Sequence, residues 1–278
     1  MHTIMMIGCS NGTPKTSSAL QPVCDILEKK YNTQAILHPS LYATANGETQ
    51  SPEVRAAGLM EAFLDPQIDA VMDVSGGDAA NGVLPFVDFD TIAQHPKPFF
   101  GYSDLSVLLN PLVQIAHIPV YYFQVRFLTD AVAEHGFSAA WHGQMDNLRP
   151  KQYAFLQGQH LEGQIVGGNI RCTLKLIGTP WEPDFHHHIL FLESLSGDLL
   201  RMESMLYQYA QIGAFSACAG VLLGNFSELA KNNLLPKLYR KITDIVQNPS
   251  LPIVCTTEIG HQTDSLCFPY HVTLHLDA

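Results

Sequence analysis

Pro98-Phe99-Phe100-Gly101-Tyr102-Ser103-Asp104-Leu105 is the stretch whose reading decides the fold. Two aromatic residues after a proline read as the end of a buried strand. Gly101 permits a tight turn, Ser103 stands at its apex, and Asp104 starts a helix predicted over Leu105 to Ala116. A serine on a sharp strand-to-helix turn presents its hydroxyl away from its own backbone, and the amides opening the helix can stabilise an oxyanion. A serine there also serves as a helix N-cap, so the turn alone leaves both roles open. If Ser103 is a nucleophile, the chain must supply a base, an orienting acid and a second oxyanion donor.

Upstream, strand and helix patterns alternate. Residues 3–8 read as a strand entering the loop Gly8-Cys9-Ser10-Asn11-Gly12-Thr13-Pro14. That loop has neither GxGxxG nor Gly-Lys-Ser/Thr, so it reads as a crevice-lining turn rather than a phosphate cradle. A helix is expected over Ser17 to Tyr31 and a strand over Gln34 to His38. Ser51-Pro52-Glu53 is a helix start, with a side-chain cap, proline in the first turn and an acid beside it. Ile68 to Val74 is the next strand and runs into Ser75-Gly76-Gly77-Asp78. The alternation predicts an α/β fold with a mostly parallel sheet, whose ligand crevice lies at the strand carboxyl ends. The turns at 8–14, 75–78 and 101–104 can then converge on one crevice.

Downstream the pattern blurs between about 120 and 160. Tyr121-Tyr122-Phe123 suggests a strand or ordered turn, and His135 to Arg149 reads as loop or weak helix. The connection between two domains is placed there, giving 1–150 and 151–278. The second half reads as a smaller, β-rich α+β domain: Gly163 to Ile170, the strand Ile189 to Glu193, a helix Leu199 to Ile212, the strand Ala219 to Gly224, a helix Lys231 to Gln247, and two further strands around Gly260-His261-Gln262-Thr263-Asp264.

Composition narrows the function. The 278 residues are 46% hydrophobic, with 15 Lys plus Arg against 26 Asp plus Glu and a formal charge of −11. No basic run offsets that charge, which argues against nucleic acid as a partner. The six cysteines form no CxxC pair and mostly sit in apolar segments, as buried thiols do in a reducing compartment. The apolar N-terminus lacks a basic flank and reads as a strand, not a signal peptide. No apolar run approaches the ~20 residues of a membrane span, so the cytoplasm is the default location, with no membrane partner.

Two residues stand out as partners for Ser103. His261 follows a glycine in a loop after an apolar strand, the usual setting of a catalytic base. Glu193 ends an apolar strand where a carboxylate is hard to explain as solvated surface; the bland alternative is an ion pair with Arg201 or a lysine. His186-His187-His188 reads as a solvated turn rather than a metal site, because adjacent histidines splay apart and no ligand spacing surrounds them. Leu199, Met202, Met205 and Leu206 recur at helical spacing and read as core or dimer contact.

These motifs together resemble the LD-carboxypeptidase family of serine peptidases, which includes muramoyltetrapeptide carboxypeptidases and microcin C immunity hydrolases. The resemblance is carried in order by Arg55-Ala56 with Glu61-Ala62-Phe63 and Asp65-Pro66, by Ser75-Gly76-Gly77, by Lys97-Pro98 with Gly101-Tyr102-Ser103-Asp104, by Gly167-Gly168-Asn169 with Gly178-Thr179-Pro180, by Leu192-Glu193 and by Gly260-His261. It implies a flavodoxin-like N-terminal domain, a smaller β-rich C-terminal domain and a Ser-Glu-His triad formed where they pack together. Ser103 would be the nucleophile, His261 the base and acid, and Glu193 the residue that orients the imidazole. Oxyanion donors would be the backbone amides of Asp104 and of Gly77, in preference to Gly76. The implied reaction is amide hydrolysis through an acyl-enzyme, without metal or cofactor. In the murein branch it removes the terminal D-Ala from a peptidoglycan tetrapeptide at an L-D bond during recycling, and many members are homodimers.

Two departures bear on substrate choice. Pro119 to Phe127 lacks the Gly-Pro element expected there, and Ser194 stands after the glutamate where an acid is expected. The first alternative is therefore a microcin C immunity-type hydrolase of peptidyl or aminoacyl nucleotide conjugates, which would need an aromatic platform such as Trp141 or Trp181. A flavodoxin-like binding protein without activity is the second. An α/β-hydrolase esterase is disfavoured because Leu105 replaces the second glycine of Gly-x-Ser-x-Gly.

Overall fold

The computed structural model describes residues 1–15 and 17–278. Its thirteen strands are β1 (His2–Ile7), β2 (Thr33–Leu37), β3 (Ala70–Asp73), β4 (Phe99–Gly101), β5 (Val120–Tyr122), β6 (Tyr153–Gln157), β7 (His160–Gly163), β8 (Ile165–Asn169), β9 (Ile189–Ser194), β10 (Gly220–Phe226), β11 (Ile253–Thr256), β12 (Phe268–Pro269) and β13 (Leu274–Asp277). The first sheet has the order β12-β5-β4-β3-β1-β2. Strands β2, β1, β3, β4 and β5 pair in parallel, which is the flavodoxin-like order. The second sheet has the order β6-β11-β10-β9-β8, and only β6 runs antiparallel. Strands β7 and β13 form a separate antiparallel ribbon.

The strand sequences explain these placements. Every residue of β3, β4, β9 and β11 is buried, as expected of parallel strands covered on both faces. Strand β2 lies at the edge and leaves Ile36 and Leu37 partly exposed. One apolar cluster joins Ile7, Val71 and Leu108 from the first half to Phe191, Leu222 and Val254 from the second. The two sheets therefore share a core rather than meeting at a wet boundary.

Polar contacts fix how the halves meet. The helix Ser106–Gln114 faces β8, and its Asn110 exchanges two hydrogen bonds with the Gly167 backbone, at 2.8 and 2.9 Å. Ser106 Oγ donates to the Ser103 carbonyl at 2.7 Å and accepts from the Asn169 amide at 2.8 Å. Gly168 lies at this crossing with φ 129°, and a Cβ there would stand 2.3 Å from Ser106 Oγ. The glycine pair of the Gly167-Gly168-Asn169 motif thus permits close approach of a strand to the helix behind Ser103.

Several expected elements shift. Residues 131–141 form a regular helix capped by Asp130, whose carboxylate accepts from the Val132 and Ala133 amides, although the segment from His135 onward read as loop or weak helix. Asp130 is an N-cap whose helix has only a weak apolar stripe, so the pattern hid it. The helix expected from Ser17 begins at Gln21, with Pro22 in its first turn. The helix expected over Lys231 to Gln247 begins only at Leu235 and runs to Val246, with Pro236 in its first turn, while Lys231 ends a separate short helix, Ser227–Lys231. The helix expected from Leu105 is preceded by a 3-10 turn, Ser103–Leu105. No helix among the described residues is long and apolar enough to cross a membrane.

Candidate active site

Ser103 follows β4 by one residue, Tyr102, and adopts φ 58°, a left-handed conformation that only strong surrounding contacts hold in a non-glycine residue. Those contacts are visible. Its amide donates to Tyr122 Oη at 3.0 Å, and its carbonyl accepts from Ser106 Oγ. Tyr122 ends β5, the neighbouring strand.

Glu193 is fully buried near the end of β9. Three donors converge on its carboxylate. Tyr122 Oη donates to Oε1 at 2.7 Å and Asn169 Nδ2 to the same oxygen at 3.0 Å. His261 Nδ1 lies 2.6 Å from Oε2. Asn169 and Glu193 are register partners on β8 and β9, so the sheet itself brings them together. A buried carboxylate without such partners would be strongly unfavourable. Burial first, and then the adjacent carboxylate, push the Tyr122 hydroxyl far above its ordinary value, so it stays a donor.

His261 occupies the loop between β11 and β12, with its side chain almost wholly buried. Its ring lies 5.0 Å from that of Tyr102, the residue before Ser103. In the neutral imidazole, the carboxylate facing Nδ1 selects the Nδ1–H tautomer and leaves Nε2 as the acceptor. Nε2 is buried with no hydrogen-bond partner among the described residues. His261 is thus bonded to Glu193 through Nδ1, and no hydrogen bond joins it to Ser103 among the described residues.

The turns after β1, β3 and β4 are tied into one unit. Asp104 is fully buried and accepts from Ser10 Oγ at 2.7 Å, from the Ala80 amide at 2.9 Å and from Lys175 Nζ at 2.6 Å. Asp73 accepts from the Cys9 and Ser75 amides at 2.7 and 2.9 Å, and burial raises its carboxyl above the usual range. Arg55 donates to the carbonyls of Cys9 and Ala79. Gly77 has φ 133°, and a Cβ there would fall 2.2 Å from the Asn11 side chain. Its N–H donates to no atom of the described residues.

A cleft of about 340 Å³ opens over Ser103, lined also by Gly77, Asp78, Arg171 and Arg201. Gly76 is not among its lining residues. Of the five residues singled out in the sequence, Gly77 and Ser103 line the cleft, Asp104 is buried next to Ser103, and Glu193 and His261 are joined to each other and to the Ser103 turn through Tyr122 and Tyr102. Arg201 does not pair with Glu193. Lys97 donates to the carbonyls of Ala62 and Asp65 at the end of the helix Pro52–Leu64 and serves structure. Trp141 packs against His2, at the amino end of β1 and away from the cleft, and neither tryptophan lines it. Met205 of the helix Leu199–Gln211 packs against the apolar core of the second half, as read, and also lines the cleft.

Sequence reasoning missed the roles of Tyr122, Asn169, Lys175 and the cleft arginines. Tyr122 carried a usable signal, because a tyrosine closing a buried strand needs a partner for its hydroxyl. Asn169 was visible only as part of a motif. Lys175 gave no signal, since it follows a helix of five residues with no strong pattern.

Comparison with known proteins agrees with this architecture. Residues 4–123 match the model of the LD-carboxypeptidase N-terminal domain, and residues 162–276 match that of the C-terminal domain. Among curated relatives, a putative carboxypeptidase of Bacillus subtilis, YocD, is 27% identical over 260 residues, covering 83% of this chain and 79% of the relative. A probable murein peptide carboxypeptidase of the same organism is 27% identical over 227 residues, covering 77% and 70%. The microcin C7 self-immunity protein MccF of Escherichia coli is 24% identical over 262 residues, covering 80% and 75%. Of solved structures, MccF with aspartyl sulfamoyl adenosine superposes with a TM-score of 0.82 at 20% identity, covering 99% of this chain and 93% of the other. A muramoyltetrapeptide carboxypeptidase from Oxalobacter formigenes gives 0.79 at 24% identity, covering 99% and 95%. With both halves matched in order and one fold shared across them, the chain belongs to the LD-carboxypeptidase family.

Proposed function

We propose that this protein is a serine peptidase that hydrolyses an L-D amide bond, removing the terminal D-Ala of a peptidoglycan tetrapeptide through an acyl-enzyme. The observation that carries the reading is the buried Glu193–His261 pair, with Nε2 left unpartnered and the imidazole packed against Tyr102, the residue before the strained Ser103. His261 takes the Ser103 proton as Oγ attacks the carbonyl carbon, then gives it to the leaving amine. Glu193 holds the imidazole in the Nδ1–H tautomer and stabilises the imidazolium. The amides of Gly77 and Asp104 receive the developing oxyanion. Water then attacks the ester, with His261 again as base, and frees the peptide acid. The domains 1–150 and 151–278 contribute opposite sides of this site. The relatives named murein peptide and muramoyltetrapeptide carboxypeptidase support that substrate class. Recycling of murein peptides in the cytoplasm by a homodimer is the setting that fits it.

A second reading, hydrolysis of an aminoacyl or peptidyl nucleotide conjugate, is favoured by the relative and solved structures named MccF. The lack of a tryptophan on the cleft weighs against it. Incubation with an L-D tetrapeptide and, in parallel, an aminoacyl-sulfamoyl adenylate, with products identified by mass, separates the two. Release of D-Ala supports the first reading. Cleavage of the adenylate alone transfers the assignment to the second, and turnover of neither contradicts both.

A further inference from the structure

The cleft is cationic in an acidic protein. Two guanidinium groups, Arg171 and Arg201, line it against one carboxylate, Asp78, although the whole chain carries a charge of −11. Arg171 is taken up by an ion pair with Asp78. Arg201 is exposed, and its guanidinium pairs with no carboxylate among the described residues. Its backbone amide is capped by Asp198 at 2.8 Å, so that acid serves the helix start. The Arg201 stem lies over the Gly197 turn: φ there is 121°, and a Cβ would meet Arg201 Cδ at 3.1 Å. This turn joins the strand bearing Glu193 to the helix bearing Arg201. An arginine on a first helical turn leans toward the helix N-terminus, here toward Ser194, Leu195 and Ser196 on the cleft wall.

We propose that Arg201 anchors the terminal carboxylate of the substrate, which makes the enzyme an exopeptidase. The inference rests on the peptidase reading above. A carboxypeptidase must distinguish a last residue from an interior one, and only the last carries a free carboxylate beside its scissile amide. That carboxylate lies about one residue, ~3.8 Å along the chain, beyond the bond attacked by Ser103, so its receptor must line the same cleft. A guanidinium binds a carboxylate through two parallel N–H donors, which fixes orientation as well as charge. Met205 on the same wall offers an apolar surface to a small side chain such as the methyl of D-Ala.

The test compares an L-D tetrapeptide ending in a free carboxylate with the same peptide ending in an amide. The wild type should prefer the acid. Arg201→Ala should lower kcat/KM for the acid by ~10- to 100-fold, chiefly through KM, and shrink the acid-to-amide ratio by a similar factor. Arg201→Lys should keep part of that ratio, and both variants should melt near the wild type because the residue is exposed. An unchanged ratio in Arg201→Ala, or a wild type indifferent to the terminal group, overturns the anchor while leaving the peptidase reading intact. A wild type that cleaves neither peptide overturns both.

Discussion

Glu193 is the residue on which the site turns. Its two oxygens receive three donors from three strands or loops, and one of those donors, Tyr122, also accepts the Ser103 amide. A single hydroxyl thus ties the Glu193 carboxylate to the Ser103 backbone. Tyr122→Phe keeps the ring packing and removes both bonds. We expect kcat to fall by ~10- to 100-fold, the loss of a charge-assisted hydrogen bond and its geometry. Because burial and the neighbouring carboxylate raise the hydroxyl far above its ordinary value, it stays protonated across the working range. The loss should therefore be uniform from about pH 6 to 9 rather than confined to one limb of the rate profile. Steady-state rates over that range check it, and a variant with wild-type kcat would remove Tyr122 from the mechanism. Ser103, Glu193 and His261 were legible in the sequence because each closes or follows an apolar strand with a residue that the strand does not need. Arg201 was legible only as an ion-pair candidate for Glu193, because sequence shows charge without showing which partner lies nearer.

At the scale of elements, the short helix Ile170–Leu174 does more than its length suggests. Asn169 caps it and bonds Glu193, Arg171 pairs with Asp78, and Lys175 at its end reaches Asp104 and the Asp78 carbonyl. One element of the second half thereby holds the two turns whose amides are proposed to receive the oxyanion. Lys175→Met leaves the fully buried Asp104 carboxylate without its cation, a loss of about 3 kcal/mol in stability. The same change should reduce kcat with little effect on KM, because the affected amides act on the transition state. Thermal melts and initial rates test both parts. Partial recovery of stability in Lys175→Met with Asp104→Asn would assign the loss to the unpaired charge. A Lys175→Met variant with wild-type stability and kcat would contradict the clamp. Strand and helix existence was legible from periodicity here, but element ends were not. Pro22 and Pro236 moved helix starts inward, and Asp130 began a helix that its weak apolar stripe concealed.

At the scale of the whole molecule, the alternating pattern determined the parallel sheet, and the turns at its carboxyl ends meet as that architecture requires. What the pattern could not show is the path of the last segment. β11 lies in the second sheet, whereas β12, two residues long, adds to the edge of the first by pairing with β5. A two-residue strand leaves no period to read. The intervening loop carries His261, so the histidine is strung between sheets and held against Tyr102 of one half and Glu193 of the other. Substrate choice was illegible for a related reason, since the cleft is lined by residues from 77 to 205 that no local motif brings together. We propose that Ser103 and His261, oriented by Glu193, act as one catalytic unit. The most direct measurement is a double-mutant cycle on L-D tetrapeptide hydrolysis with Ser103→Ala, His261→Ala and the pair. Each single variant should lose several orders of magnitude, and the double should be no slower than the worse single, within a few-fold. Losses that multiply in the double variant, or turnover retained by Ser103→Ala, would contradict it.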